Sequence, residues 1–244
     1  MSSYCIFLYS HSDYSDIWPL TFGQINKHID LSNVDIYFCV NKLNDYKINE
    51  KIKVIFYDDT LYYTKRILYA TLKLNYDYIL FIHDDWVITN NFNNNYVSDL
   101  IKIMKDSGLL HVRSYAAWGG EYNQENIKIN YNNINLTNIP NDAGYFISLQ
   151  PGIWDMNLFR ELYMFDCING SKLEIASNSN YEFKRTKYNK FFYETNANIA
   201  EKSVLFPHIH TIANGKWAFS NDKYGQLHNL LKEYNIDYKP RGEI

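Results

Sequence analysis

The sequence has few of the features that mark disulfide-stabilised or membrane-spanning proteins. Its 244 residues include three cysteines, and Cys5 and Cys39 lie inside apolar runs. We therefore expect buried free thiols in a reducing cytosol rather than a disulfide framework. The longest apolar runs are far shorter than the ~18 residues that a membrane span needs. The first residues lack the basic and apolar regions of a signal peptide, so we expect a cytoplasmic protein.

An excess of positive charge is also lacking. Lys and Arg total 24 against 27 for Asp and Glu, a net charge of −3. General nucleic-acid binding is therefore not expected, because it needs many cations to neutralise the phosphates. A hydrophobic content of 46% argues against disorder. No internal repeat and no Pro-, Gly- or Ser-rich linker divides the chain, which predicts one domain.

Aromatic residues and asparagine are abundant. Aromatics make up 17% of the chain, with 23 tyrosines, and Asn recurs in clusters such as 90–95. An AT-rich coding sequence, typical of large DNA viruses among others, accounts for most of this bias. Surplus tyrosines are also typical of sugar sites, because their rings stack on sugar CH faces and their hydroxyls bond sugar oxygens. Composition alone leaves both interpretations open.

The first third of the chain alternates strand-like and helix-like segments. Continuous apolar runs predict strands of a parallel sheet that is covered on both faces, at 4–9, 35–40, 53–57 and 77–82. Helices are predicted at 16–28, with Asp16 as N-cap, and at 64–74, with Thr64 as N-cap. This order is typical of a doubly wound α/β nucleotide-binding fold.

The rest of the chain is less regular. Helices are predicted at 96–105, at 155–164 with Asp155 as N-cap, and around 227–234. Short strands are predicted at 109–112, 145–149 and 204–206. The polar, Asn-rich segment 115–142 is expected to be an irregular loop.

The strongest chemical feature is the sequence His83-Asp84-Asp85-Trp86, directly after the fourth apolar run. Ligands of parallel sheets bind outside the carboxyl ends of the strands. Two adjacent carboxylates there repel each other and are costly to bury, so a cation is their natural partner. In an extended chain His83 and Asp85 point one way and Asp84 the other. We assign Asp85 to the metal, and Asp84 to the donor side or to hydrogen bonds behind the metal; the alternative is an ordinary acidic turn.

The segment 79–85 resembles the D-x-D motif of GT-A-fold glycosyltransferases, which binds Mn²⁺ or Mg²⁺ and the diphosphate of a nucleotide sugar. Segments 9–13, 64–68, 148–154 and 172–176 fit the same family in the same order. The resemblance covers roughly 4–217 and departs from the motif in having His83 at the first acidic position. It implies a single α/β domain with a GT-A-like (Rossmann-like), mostly parallel sheet flanked by helices. Residues 1–90 would form the nucleotide-binding half, 91–220 the donor and acceptor half, and 221–244 a C-terminal helix and tail.

The same resemblance implies a donor site. Its expected members are Ser10 and His11 after the first strand, Asp58 near the base and ribose, Arg66 at the diphosphate, and Gln150 and Trp154 beside the donor sugar. A diphosphate at a helix start would also offset the unfavourable position of a cation there. Each residue has an ordinary alternative, such as a turn for Asp58, a solvated face for Arg66 and a core position for Trp154.

Glu174 is the candidate general base, because inverting transfer needs a carboxylate to take the acceptor proton and its apolar neighbours would raise its pKa. A late histidine, His210 or else His208, is a candidate metal ligand, since both share one face of an extended segment.

The sequence thus predicts a metal-dependent (Mn²⁺ or Mg²⁺), inverting hexosyltransferase. It would move a sugar from a nucleotide-sugar donor, most simply a UDP-sugar, to a hydroxyl of a glycan or protein acceptor. Neither a nucleic acid nor a membrane span is expected among its partners. The alternatives are a zinc-dependent carbohydrate hydrolase or deacetylase that uses His83, an Asp and a late His, and a non-catalytic sugar-binding relative.

Overall fold

A nine-stranded sheet forms the centre of the molecule. The computed structural model describes residues 3–116, 127–140, 143, 146–179, 190–195, 200–219 and 225–244. In chain order, the strands of this sheet are β1 (Tyr4–Tyr9), β2 (Ile36–Val40), β3 (Ile52–Phe56), β4 (Tyr78–His83), β6 (His111–Arg113), β7 (Lys128–Tyr131), β8 (Ile134–Asn138), β9 (Gly152–Asp155) and β10 (Phe191–Glu194). Outside it lie β5 (Trp86–Ile88), β11 (His208–His210), β12 (Ile212–Ala213) and β13 (Lys216–Trp217).

The strand order is β3-β2-β1-β4-β9-β6-β10-β8-β7. The first four strands pair in parallel, and β6 pairs in parallel with β10. Strand β9 is antiparallel to both β4 and β6, and β8 is antiparallel to both β10 and β7. Seven of the nine strands therefore point the same way, which confirms the expectation of a mostly parallel α/β sheet in a single domain.

Apolar side chains cover both faces of the sheet. Ile6 and Leu8 of β1 join one core, whereas Cys5 and Phe7 join the other. The first core includes residues of α1 (Trp18–His28), α3 (Asn94–Ser107) and α6 (Gln226–Glu233), and the second includes residues of α2 (Tyr63–Thr71), α4 (Met156–Leu162) and α5 (Gly170–Ser179). Burial of both faces explains why the parallel strands are continuous apolar runs in the sequence. No helix within the described ranges is long and apolar enough to cross a membrane.

Two predicted helix caps are wrong. Helix α1 starts after Ile17 with no side-chain cap, and Asp16 instead bonds Arg241. Helix α2 starts one residue before Thr64, which lies buried within it. The Thr64 hydroxyl accepts a hydrogen bond from the backbone N–H of Cys167, 3.1 Å away. Asp16 and Thr64, which the local pattern assigned to capping, therefore form hydrogen bonds with distant parts of the chain instead. The cap of α4 by Asp155 is confirmed, since its carboxylate accepts from the N–H groups of Asn157 and Leu158.

Several predictions for the second half also need correction. The segment expected to be irregular contains the β7–β8 hairpin, turned by Asn132 and Asn133 at φ 45° and 69°. Such a two-residue turn is typical of hairpins. Residues 146–149 form no strand, and the strand at this point is β9. The predicted strand 204–206 is wrong because Val204 and Leu205 donate their N–H groups to the buried Glu194 carboxylate, and β11 follows instead.

Candidate functional site

The carboxyl ends of β1 and β4 lie side by side at one edge of the sheet. Tyr9 at the end of β1 lies opposite His83 at the end of β4 in the parallel register. Directly after β4, the chain enters β5, which pairs antiparallel with β11 so that Trp86 lies opposite His210. This pairing brings a segment from late in the chain onto the acidic sequence 84–85.

Asp85 and His210 meet at this point. The Nε2 atom of His210 lies 3.2 Å from Oδ2 of Asp85. The Asp85 carbonyl accepts hydrogen bonds from the N–H and hydroxyl of Thr211, at 2.8 Å and 3.0 Å. The rings of Trp86 and His210 stack with centroids 4.2 Å apart. The His210 ring is therefore held between Asp85 and Trp86, while Thr211 fixes the backbone of Asp85.

The second carboxylate oxygen of Asp85 has no protein partner. Its Oδ1 atom is buried and makes no hydrogen bond within the described ranges. An unsatisfied buried carboxylate oxygen is costly, so its presence in a native site calls for a ligand, an ion or water. The Asp85 side chain is 19% exposed, which leaves it reachable from the adjoining cleft.

Asp84 points away from this cleft, as the strand alternation predicts. It is 5% exposed, and its Oδ2 atom accepts hydrogen bonds from the Ser10 hydroxyl and, at 3.3 Å, from the Trp18 indole. Burial raises the pKa of Asp84 well above its usual range, and the neighbouring charge of Asp85 adds to that shift. Ser10 and Asp84 thus support the strand end from behind and do not line the cleft.

His83 shares the cleft with Asp85. Its Nε2 atom lies 2.9 Å from the Tyr63 hydroxyl. Burial lowers the pKa of His83, partly offset by the Asp85 carboxylate, and the neighbouring His210 lowers it further. The His83 imidazole is therefore neutral at pH 7.

The cleft has a volume of about 910 Å³ and places Gln150 and Glu174 in the same lining as Asp85, His83 and His210. Gln150 is 5% exposed, and its Oε1 atom is buried without a hydrogen-bond partner in the described ranges. The cleft therefore has a second buried polar atom available to a ligand.

Glu174 projects from α5 into this lining. Its Oε1 atom accepts a hydrogen bond from the Leu149 N–H at 2.7 Å. Burial raises the pKa of Glu174, while hydrogen bonds from Leu149 and Ser148 and the charge of Arg113 act against that shift. A half-buried carboxylate with a raised pKa beside a cleft is suited to accept a proton from a bound hydroxyl.

A polar cluster lies at the carboxyl ends of β1, β2 and β3. The Asp59 carboxylate lies 3.1 Å from Nε2 of His11 and accepts a hydrogen bond from the Asn41 amide at 2.6 Å. Arg66 donates to the carbonyls of Asp59 and Leu61 at 2.6 Å and 2.8 Å. Arg66 is thus held by the loop after β3 and is not among the residues that line the described cleft.

Asp58 does not join that cluster. Its carboxylate accepts from the N–H and the hydroxyl of Thr60 at 2.8 Å and 2.7 Å, the arrangement of an Asx turn. These bonds lower the pKa of Asp58. Of the two acids that follow β3, Asp59 is therefore the one that contacts residues at the ends of β1 and β2. The sequence interpretation missed Asn41, although it directly follows the second apolar run.

Two further candidates lie in the core. Trp154 is fully buried in β9 and stacks on His111 with ring centroids 3.4 Å apart, so the assignment to the donor sugar is corrected. His208 is also fully buried, and its Nδ1 atom lies 2.5 Å from the Phe206 carbonyl. Burial lowers the pKa of His208 to about 3. Of the two late histidines, His210 is the one that reaches the cleft.

The residues present fit a divalent cation only in part. Within the described ranges, no three His, Cys, Asp or Glu side chains lie close enough to hold a metal together. Asp85 and His210 would supply one carboxylate and one imidazole, a donor set that Mn²⁺ accepts. The unpartnered Oδ1 atom of Asp85 is consistent with this role. Oxygens of a bound ligand and water would have to complete the coordination.

No protein-family model and no curated protein sequence matches the chain. Its structure is similar to crystal structures of S. aureus TarS. The TarS 1-349 complex with UDP-GlcNAc superposes with a TM-score of 0.50 at 11% identity, covering 96% of this chain and 66% of that one. TarS 1-349 without a named ligand gives 0.48 at 12% identity, covering 80% and 60%. This chain thus spans less than two thirds of those proteins, and the likeness shows that it has a GT-A-like fold.

Proposed function

We propose that this chain is a glycosyltransferase that uses a nucleotide sugar, most simply a UDP-sugar, as donor. The observation that carries this proposal is the pairing of Asp85 with His210 at the end of β4, across one cleft from Glu174. The position is the ligand-binding edge of a GT-A-like sheet. The likeness to TarS, a glycosyltransferase crystallised with UDP-GlcNAc, supports the same class of donor.

The charge of the cleft supports a requirement for a divalent cation. The residues that line its described part include the carboxylates of Asp85 and Glu174 but neither Lys nor Arg. A nucleoside diphosphate would bring further negative charge into this acidic, partly desolvated space, where repulsion is strong. Asp85 and His210 would hold Mn²⁺ or Mg²⁺, which when bound neutralises the charge of the departing diphosphate.

Glu174 would act as general base. The acceptor hydroxyl oxygen attacks the anomeric carbon, the bond from that carbon to the diphosphate oxygen breaks, and the nucleoside diphosphate leaves with the electron pair. The hydroxyl proton passes to the Glu174 carboxylate. A single displacement of this kind inverts the anomeric configuration. The buried Gln150 amide would orient the donor sugar through hydrogen bonds.

The cluster of His11, Asn41, Asp59 and Arg66 would hold the nucleoside. Asp59 would accept hydrogen bonds from ribose hydroxyls or from the base, as carboxylates do in dinucleotide sites. His11 would stack on or bond the base. Arg66 keeps the Asp59 segment in place through its carbonyl and lies 5.1 Å from the centre of the Tyr57 ring.

A thermal-shift screen of UDP-, GDP- and CMP-sugars, with and without Mn²⁺, tests this proposal. A bound ligand raises the melting temperature because it stabilises the folded state by RT ln(1 + [L]/Kd). We expect stabilisation by a UDP-sugar that depends on Mn²⁺. Tight stoichiometric Zn²⁺ in the purified protein, without a response to any nucleotide sugar, would instead favour a hydrolase. Stabilisation by free glycans alone would favour a non-catalytic sugar-binding protein.

A further inference from the structure

Arg241, close to the C-terminal end of the sequence, touches both rims of the cleft. Its Nε atom donates to Oδ2 of Asp16 at 2.8 Å, and its Nη2 atom donates to Oδ1 of the same carboxylate. Its Nη1 atom donates to the Gly215 carbonyl at 3.2 Å. Asp16 belongs to the loop after β1, whereas Gly215 lies in the turn between β12 and β13. One guanidinium therefore joins two segments that are far apart in the chain.

Both joined segments carry residues of the cleft lining. On one side Tyr14 lines the cleft, and the Arg241 guanidinium lies 4.8 Å from the centre of its ring. On the other side the turn residues Asn214 and Gly215 line it. The contact of the guanidinium with Tyr14 is close enough for a cation–π interaction.

The second rim is continuous with the proposed metal ligand. His210 ends β11, and the next residue, Thr211, bonds the Asp85 carbonyl and accepts a hydrogen bond from the Ala218 N–H at 2.9 Å. In the β12–β13 hairpin, Ile212 pairs with Trp217. The backbone of Trp217 in turn bonds Gly242 and Ile244, both at 3.0 Å. The segment around Arg241 is therefore fastened to the hairpin that follows His210.

The chemistry of Arg241 suits a fixed connection. Its side chain is 12% exposed, against 42% for Asp16. A planar guanidinium that binds both oxygens of one carboxylate has a defined orientation, which a lysine ammonium would not give. Exposed ion pairs contribute little to stability, but this one also bonds a carbonyl and packs on an aromatic ring.

We propose that Arg241 is a positioning residue of the donor site, which sets the spacing between the Tyr14 rim and the Asn214–Gly215 rim. This inference rests on the proposed function, because it assigns the cleft to a nucleoside diphosphate. A small displacement of the groups that hold a ligand greatly weakens their contribution to binding and catalysis. Loss of the Arg241 connection is therefore expected to weaken donor binding although Arg241 does not contact the reacting atoms.

The test measures the dissociation constant of UDP in the presence of Mn²⁺ by calorimetry, well below the melting temperature of each protein. We expect Arg241→Gln and Asp16→Asn each to raise it about 10-fold, the effect of losing one charge-assisted hydrogen bond. The double variant should bind UDP no more weakly than the weaker-binding of the two single variants, because both changes break the same connection. Asp16 is partly exposed, so Asp16→Asn keeps the inference testable if Arg241→Gln does not fold.

Lys27→Gln is the matched control. It removes the exposed Lys27–Glu233 ion pair, 3.0 Å long, which joins α1 to α6 away from the cleft. We expect it to leave the dissociation constant unchanged. Wild-type UDP affinity in Arg241→Gln and Asp16→Asn, even with lowered melting temperatures, would overturn the inference while leaving the proposed function intact. Absence of UDP binding by the wild-type protein would instead overturn the proposed function itself, and this inference with it.

Discussion

Asp85 and His210 are 125 positions apart in the chain, yet their Oδ2 and Nε2 atoms lie 3.2 Å from each other. The antiparallel pairing of β5 with β11 creates this contact. Thr211, which follows His210 in the chain, supports it through a hydrogen bond to the Asp85 carbonyl. The contact joins the end of a central parallel strand to the last third of the sequence. It places a carboxylate and an imidazole side by side in the cleft, a pair of groups suited to a divalent cation.

Replacement of the proposed base should separate chemistry from binding. We expect Glu174→Gln to lower the rate of sugar transfer by about 10²–10⁴-fold, because an amide cannot take the acceptor proton. The affinity for UDP should remain that of the wild type. UDP release and UDP binding, measured on the same preparation, check both statements. Transfer at the wild-type rate would remove Glu174 from the mechanism.

The pH dependence of the same reaction has a definite direction. A general base works in its unprotonated form, so the rate should fall as the pH drops through the pKa of Glu174. Because burial raises that pKa, the acid limb should lie above pH 4.5, the ordinary value for Glu. The Glu174→Gln protein should lack this limb. An identical acid limb in both proteins would contradict the assignment.

The two neighbouring acids after β3 should differ in their effect on nucleoside binding. Asp59→Asn is expected to raise the dissociation constant of UDP about 10-fold, since Asp59 bonds His11 and Asn41 in the proposed nucleoside cluster. Asp58→Asn is the matched control, because the Asp58 carboxylate accepts its hydrogen bonds from Thr60 of its own turn and not from the cluster. Neither change should affect the affinity for inorganic pyrophosphate with Mn²⁺. Equal effects of both variants on UDP would contradict this placement of the nucleoside.

The buried Glu194 should make stability depend on pH. Burial raises the pKa of Glu194 to about 7, although Ser203, Tyr96 and the backbone of 204–205 bond its carboxylate. The folded chain therefore retains a proton that the unfolded chain releases near pH 4.3. The resulting stabilisation is complete below that pH and is lost as the pH rises through 7, on the order of 3 kcal/mol in all.

Melting temperatures of the wild type and Glu194→Gln between pH 5 and 8 check this prediction. In the variant, the N–H groups of the side-chain amide face the Ser203, Tyr96 and backbone donors that bond the carboxylate in the wild type. The variant should therefore be less stable than the wild type at pH 5. Its deficit should shrink toward pH 8 as the wild type loses stability. A constant difference across this range would show that Glu194 does not titrate between pH 5 and 8 in the folded protein.

Gly152 should not tolerate a side chain. It lies in β9 between β4 and β6, where a Cβ atom would come within 2.7 Å of the His111 ring and 3.0 Å of the Val112 carbonyl. Because one of these neighbours is backbone, we expect Gly152→Ala to lower the free energy of unfolding by about 1–3 kcal/mol. Urea unfolding measures this change. Stability equal to that of the wild type would show that β9 and β6 can move apart locally to make room for the methyl group.

The parallel half of the sheet was predictable because its strands are buried on both faces. Strand β1 has the predicted bounds, and β2, β3 and β4 lie within one residue of theirs. The acidic sequence at the end of β4 could be placed at the ligand-binding edge for the same reason. Side-chain alternation then separated Asp85, which faces the cleft, from Asp84, which faces the core.

What could not be predicted depends on contacts between distant parts of the chain. His208 and His210 are equivalent in the sequence, and only the register of β11 against β5 buries the first and presents the second. Trp154 carries no local sign that it packs against His111 of a neighbouring strand. The β7–β8 hairpin was missed although Asn132-Asn133 suits its turn, because Asn is common throughout this sequence.

In the proposed function, Asp85 and His210 bind a divalent cation together with the diphosphate of a nucleotide. Electron paramagnetic resonance of Mn²⁺ tests it directly, because the signal of free Mn²⁺ decreases when the ion is bound. We expect the wild-type protein to bind about one Mn²⁺ per chain when UDP is present, and Asp85→Asn to bind it much more weakly, with Asp99→Asn, altered on the exposed face of α3, as control. Equal Mn²⁺ binding by the wild type and Asp85→Asn in the presence of UDP would show that Asp85 does not hold the ion.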